Sequence, residues 1–275
     1  MKVREASKSL FSLFAGSVLG VVILAPLIWG VIVSLKTRVD ALTMPPQWLF
    51  TPSLDNYRAA FIEGPYGKTI LNSLVIATSS SILAVLVGVP AAYVFSRSRF
   101  RGHRAAFLSI LTVRMAPATV VALPLFIIFT KLGLVDTYLA IVLIHAVVNI
   151  ALVVWIMTGF IDEVSREIDE ASLLDGDGRF MVMLRQVLPL CTPGLLVTIA
   201  FCFINSWNEF FLALMITGYR TRPFTVAVPA LITPHGTYWG QVTAIGTVGL
   251  VPGLLFALFA GRYITRNLSA GGVWR

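Results

Sequence analysis

Six long apolar stretches separated by polar connections set the pattern of this chain. They fall near residues 10–34, 69–95, 105–130, 137–160, 191–217 and 240–264. Each is long enough for the ~20 residues that a helix needs to cross a bilayer. The pattern predicts an all-α polytopic membrane protein, six transmembrane helices in a single domain over residues 1–275. Lys2, Arg4 and Lys8 precede the first stretch as they would in a signal peptide. Its apolar run is too long for one, and no small-residue cleavage site precedes Ser34-Leu35-Lys36-Thr37, so a retained helix is expected. The connections 36–68 and 218–239 carry several prolines, and the first adds Trp48, Phe50 and Tyr57; both predict folded surface loops near the membrane interface.

Polar residues inside the apolar stretches each need a reason, because an ionisable group at mid-bilayer costs about 2.5–3.5 kcal/mol. Asn205, Asn208 and Glu209 are spaced to share one face of the fifth helix, His145 and Asn149 share one on the fourth, and Arg114 stands alone on the third. They form a candidate translocation pathway or gate. Two roles are open to them: hydrogen-bonding a hydroxylated solute, or joining helices to one another. For His145 a packing role is expected. The Ser79–Ser81 run, Pro90, Pro117 and Pro124 predict close packing and kinks.

Composition supports the membrane assignment: 57% of residues are hydrophobic and only 12% charged, with a mean hydropathy of +0.86. A soluble chain carries about 25% charged residues. The net charge of +8 could suggest nucleic acid, but the basic residues sit at the ends of apolar runs. Membrane orientation explains them, and no nucleic-acid partner is expected. Thirteen Lys and Arg lie in the amino end, the 96–104 and 161–190 connections and the tail, against seven in the two other long connections and the turns, with Arg114 inside a span. The bias places both termini and the 161–190 connection in the cytoplasm. Cys191 and Cys202 are eleven residues apart in one apolar stretch. That is roughly 16 Å along a helix, beyond the ~7 Å a disulfide tolerates, so both read as unpaired core residues.

The 161–190 connection is the most polar part of the chain, holding Asp162, Glu163, Glu167, Asp169, Glu170, Asp175 and Asp177, seven of its thirteen acids. Ser165 can cap a helix whose Ile168, Ala171 and Ser172 share one face. Gly176 can take the left-handed conformation that ends it. Asp177 can then cap a second helix running through Phe180, Leu184 and Leu188 to Pro189. The product is an elbow of two short helices able to carry force from a cytoplasmic partner.

This stretch resembles the EAA signature of ABC importer permeases: Glu-Ala-Ala, three residues, Gly, and Leu-Pro twelve residues on. Glu170-Ala171-Ser172, Asp175, Gly176 and Leu188-Pro189 keep the spacing, with Ser172 and Asp177 in place of alanines, Gln186 in place of an aliphatic and Ser165 in place of a frequent proline. PLIWGVIVSLKT, PPQW, LDNYRAAF, LNSLVIA, AAYVFSRSRFRG, SWNEFFLAL and the terminal LSAGGVWR extend the likeness over nearly the whole chain, to the six-helix permeases of carbohydrate, maltose-type importers. The resemblance implies a type I ABC importer in the bacterial inner membrane. Its partners would be a second, homologous permease in a heterodimer, two ABC ATPase subunits, an extracytoplasmic solute-binding protein, membrane lipid and a carbohydrate-like solute. Glu170 through Pro189 would couple the permease to the ATPase. No GxxxxGK[ST] loop occurs, so no ATP, Mg or other cofactor, no metal site and no catalytic residue is expected on this chain. A non-sugar solute such as a glycerol phosphodiester is the alternative. A secondary transporter would need paired ionisable residues or broken helices in matched halves, and a membrane hydrolase a motif such as HExxH or GxSxG, absent here.

Overall fold

A computed structural model of the chain describes residues 2–234 and 236–270, with side-chain surroundings for 16–234, 236–256 and 258. Residues 271–275 of the terminal LSAGGVWR stretch, and the side chains of the basic residues at both ends, lie outside the described residues. The elements in order are α1 (Lys2–Ser34), α2 (Arg38–Leu42), α3 (Asp55–Arg58), α4 (Tyr66–Arg97), α5 (His103–Met115), α6 (Ala118–Lys131), α7 (Tyr138–Asp162) and α8 (Arg166–Leu174). They continue with α9 (Arg179–Val182), α10 (Leu188–Leu190), α11 (Thr192–Trp207), α12 (Phe211–Ile216), α13 (Phe224–Ala227), a two-stranded hairpin of β1 (Ile232–Thr233) and β2 (Gly236–Thr237), and α14 (Trp239–Ala270). Wide π-type turns follow α3 and join α9 to α10.

Among the described residues, four helices are long and apolar enough to span a membrane: Gly16–Ser34, Tyr66–Arg97, Tyr138–Asp162 and Trp239–Phe256. The other two expected spans are bent pairs. The stretch expected as one helix over 105–130 is α5 and α6, crossing at 93°. Pro117 has no N–H to donate, and the residue before a proline is pushed out of the helical region. Ala116 is accordingly extended, at φ −65° and ψ 125°. The stretch expected over 191–217 departs at both ends. It meets the preceding Arg179–Leu190 segment at 87°. Its helix α11 stops at Trp207, and α12 restarts at Phe211.

Packing divides the chain into two compact units. The larger comprises 68–227 and 252–275. Its core is α7, apolar all round and therefore able to bury on every side. One cluster joins Val89, Ala92 and Tyr93 of α4 to Val153, Met157 and Ile161 of α7 and to Val182, Met183 and Val187. Another joins Ala122 and Phe129 of α6 to Ile141 and Ile144 of α7 and to Leu212 and Ile216 of α12. Gly194 lets α11 close on α7, since a Cβ there would run into the Phe160 ring. Cys191 and Cys202 are free and buried, as expected.

The smaller unit comprises 1–67 and 228–251. Lys36, only 2% exposed, donates to the Gln47 carbonyl at 2.6 Å, with Trp29 and Phe50 rings each 5.2 Å from its ammonium. Asn56 donates to the carbonyls of Ser34 and Lys36 at 2.9 and 2.7 Å. The 36–68 connection is thus a folded loop tied to the end of α1.

One loop contact of the larger unit had no advance signal beyond a lone acid between two spans. Asp136 sits at a left-handed φ of 58°. Its carboxylate accepts from the backbone N–H groups of Gly218, Arg220 and Thr221 at 2.8, 3.0 and 3.0 Å, and from the Thr221 hydroxyl at 2.8 Å. Burial raises its pKa, but these donors outweigh burial and hold it below the ordinary carboxylate value. A depressed folded-state pKa adds stability above the unfolded value, near 4, and that stability is lost as pH falls through the folded value. Asp136→Asn is expected to lower stability at neutral pH by about 1–3 kcal/mol. It should also shrink the further loss that the unaltered chain suffers as pH falls below about 4. Thermal unfolding of the two purified proteins at neutral pH and along an acid titration checks both; equal curves would show that Asp136 does not hold the 218–221 loop.

Candidate functional site

The acidic connection folds as an elbow. The Ser165 hydroxyl accepts from the Glu167 N–H at 3.3 Å, capping α8 as expected. Glu167 and Asp169 in the first turn complement the positive helix end. At the other end Gly176 sits at φ +95°. Its N–H reaches the Leu173 carbonyl at 3.2 Å, and the Asp177 N–H reaches that of Ser172 at 3.1 Å. This pair of bonds around a left-handed residue is the Schellman closure. The expected capping role of Asp177 is not found: its carboxylate turns back to accept from the Ser172 hydroxyl at 2.9 Å. Gly178 takes the N-cap position of α9 with no side-chain bond. The second arm, Arg179–Leu190, buries Val182, Met183 and Val187, whereas Phe180 and Leu184, on its expected face, are exposed. A π-type turn over Met183–Val187 follows α9 within this arm.

What holds the elbow to the membrane helices is a buried polar joint around Asp169. Tyr93 donates to its Oδ1 at 2.6 Å. Arg97 Nε donates to its Oδ2 at 3.1 Å, with both ionic side chains under a tenth exposed. Arg97 also reaches the Val164 carbonyl at 2.9 Å, and Arg166 the Ser96 carbonyl at 3.0 Å. The Ser96 hydroxyl donates to Asp162 at 2.5 Å. Tyr93 and Arg97 went unremarked as functional residues in the sequence pattern, although their four-residue spacing at the end of α4 puts both on the face that meets α8. With this side engaged, the other side is left open. Glu170, Ala171, Asp175, Gly176 and Pro189 are exposed, Leu188 is half-buried and Ser172 is buried. Leu174 is 89% exposed and Phe180 62%.

The intramembrane polar residues form a second group. α11 ends before Glu209, so Asn205, Asn208 and Glu209 do not share the face of one continuous helix. They are nonetheless brought together, because all three line a cavity of about 940 Å³ with Arg114, Trp155 and Phe201. Glu209 serves the restart of α12, its two oxygens accepting from the N–H groups of Leu212 and Ala213 at 2.8 and 2.9 Å. His145 and Asn149 lie behind the cavity wall. His145 Nδ1 is 2.6 Å from the Ser206 hydroxyl, which meets Ser80 at 3.0 Å. Its Nε2 is 3.3 Å from Glu209 Oε2, a close approach without hydrogen-bond alignment. Asn205 donates to Asn149 at 2.9 Å, and Asn149 to the Cys202 carbonyl at 3.2 Å. Glu209, Asn149 and His145 are therefore occupied in joining α7 to α11 and α12. Asn208 donates to the Ile204 carbonyl at 2.9 Å within its own helix end, and Arg114 and the aromatic rings of Trp155 and Phe201 complete the cavity lining.

Comparison with known proteins decides the family. Residues 84–269, spanning elbow and cavity alike, match the binding-protein-dependent transport system inner membrane component family. The chain belongs to that family. It is a multi-pass inner-membrane permease component. A probable ABC transporter permease protein of Sinorhizobium fredii, y4oR, is 33% identical over 98% of this permease and 97% of its own length. The sulfoquinovosyl glycerol transport system permease protein SmoH of Agrobacterium fabrum is 32% identical over 94% and 92%. The trehalose/maltose transport system permease protein MalG of Thermococcus litoralis is 28% identical over 98% of each. Among solved structures, a chain of a bacterial ABC transporter that imports the acidic polysaccharide alginate superposes with a TM-score of 0.77, covering 94% of this permease and 97% of that chain at 20% identity. That likeness places the fold.

Proposed function

We propose that the chain is one of two permeases of an ABC importer for a carbohydrate or related glycoside. The elbow 165–190 docks on a cytoplasmic ATPase, and the Arg114–Glu209 cavity belongs to the solute path. One observation carries this reading: an elbow pinned by Asp169 to α4 and open on the face that bears Glu170, Leu174 and Phe180. Pinned on one side and open on the other, it can pass a partner's motion into α4 and α7 as a rigid body. The relatives named for sulfoquinovosyl glycerol and trehalose/maltose support the solute class. Hydrolysis of ATP falls to the partner subunits, with no catalytic residue, cofactor or metal ion on this chain. The second permease, two ATPase subunits and an extracytoplasmic binding protein complete the assembly, with both termini of this chain in the cytoplasm.

Thiol labelling tests docking and orientation together. Leu174 is the position to use, being 89% exposed where the neighbouring Ser172 is only 6%. A cysteine introduced there is expected to react with an impermeant reagent only from the cytoplasmic side. Bound ATPase subunits should slow that reaction at least several-fold. Reaction from the outer side, or a rate indifferent to the ATPase, contradicts the assignment.

A further inference from the structure

A basic cavity lies beside the root of the elbow, with Arg166 in its lining. A cavity of about 640 Å³ is lined by Phe95, Ser96, Arg99, Phe100, Gly102, His103, Arg104, Asp162 and Arg166. Arg97, nearby, is fully engaged with Asp169 and Val164. Arg99, Arg101 and Arg104 have no acidic or hydrogen-bonding partner among the described residues. The acid in the lining, Asp162, already accepts from Ser96. The N-terminus of α5 opens on the same cavity, uncapped by any side chain and with no acid in its first turn, so its N–H groups add positive potential. The floor is aromatic: His103 packs edge to face on Phe95 and Phe100 at 5.4 and 5.2 Å, Phe95 and Phe100 lie tilted 6.0 Å apart, and His103 Nε2 is 2.8 Å from the Phe95 carbonyl.

We propose that this cavity binds the phosphodiester headgroup of an anionic lipid in the adjoining leaflet. The guanidinium groups and the α5 end meet the phosphate, and the aromatic floor meets the glycerol and upper acyl chain. The apolar floor favours a phosphate with an apolar tail over a free anion. The position agrees, because α4 ends and α5 begins here and both belong to membrane-spanning stretches. Clusters of unpaired basic residues at such ends attract anionic lipid. Because Arg166 lines the cavity and donates to Ser96, an occupied site braces the root of α8. The headgroup assignment stands apart from ATPase docking; only the bracing effect rests on the function proposed above.

The test uses the purified permease complex in nanodiscs of phosphatidylcholine with one quarter phosphatidylglycerol. Phosphatidylglycerol retained after transfer to detergent is counted by native mass spectrometry. The unaltered complex is expected to retain phosphatidylglycerol in preference to phosphatidylcholine. Arg99→Gln with Arg104→Gln should reduce that retention about 25-fold, about fivefold for each arginine removed. Equal retention of the two lipids, or undiminished retention by the double variant, overturns the proposal. Displacement of the lipid by millimolar inorganic phosphate or glycerol 3-phosphate overturns it as well, in favour of a soluble anion. Glu170→Lys should leave lipid retention unchanged, so a failure of the docking assignment stays distinguishable from a failure of this one.

Discussion

Asp169→Ala is expected to detach the elbow while leaving the membrane helices in place. The substitution strands Arg97, whose side chain is 8% exposed, and removes the acceptor of the Tyr93 hydroxyl. Breaking a buried ion pair by removing one partner costs about 3–5 kcal/mol, because the remaining charge stays desolvated. That exceeds anything α8 can supply by itself, since a nine-residue helix is marginal in water without tertiary contacts. The apolar spans lose little, so the chain should still insert and purify. Co-purification of the ATPase subunits should fall by an order of magnitude or more. Replacing both partners, Arg97→Leu with Asp169→Leu, removes the stranded charge and should recover stability, because an apolar pair of similar volume often matches a buried ion pair. ATPase retention equal to that of the unaltered complex in Asp169→Ala would falsify the joint.

Gly176→Val is expected to act on the other end of α8 by a purely backbone route. A Cβ at this position meets nothing within 4 Å, so no packing clash arises. The φ of +95° remains the obstacle, since a left-handed conformation costs an L-residue about 1–2 kcal/mol. The cost for a β-branched side chain lies at the upper end or beyond. Relieving it opens the two hydrogen bonds that close α8 and swings the second arm away. Gly176→Asn, which tolerates the left-handed region, should be milder than Gly176→Ala, and Gly176→Val the most severe. Glu170→Lys reaches the same surface by reversing an exposed charge, with no change in the fold of the elbow.

The elbow was legible in the sequence because its signals are local. A capping serine and a glycine at the end of a short helix each act within a few residues, and both behave as expected. The four continuous spans were legible for a similar reason, since length and hydropathy alone define them. The bends were not, because a proline inside an apolar run either kinks a helix or breaks it, and neighbouring packing decides which. Pro26, Pro90 and Pro252 sit within continuous helices, whereas Pro117 divides α5 from α6. Asp177 is instructive in another way. It has the right residue type one position early for a cap, and the Ser172 hydroxyl, five residues back, competes successfully for its carboxylate. The Arg97–Asp169 joint and the Asp136 clamp join residues 72 and more than 80 positions apart. No local pattern announces such a pair, although the type of each residue, an ionic group at the end of an apolar span, marks it as needing one.

Solute-stimulated ATP hydrolysis by the complex reconstituted in proteoliposomes tests the coupling role of the elbow most directly. Gly176→Val and Glu170→Lys are each expected to insert normally, to bind the ATPase subunits weakly and to lose most of the stimulation that the loaded binding protein produces. Full stimulation and normal uptake in both variants would contradict it, leaving 165–190 an ordinary charged connection between two spans.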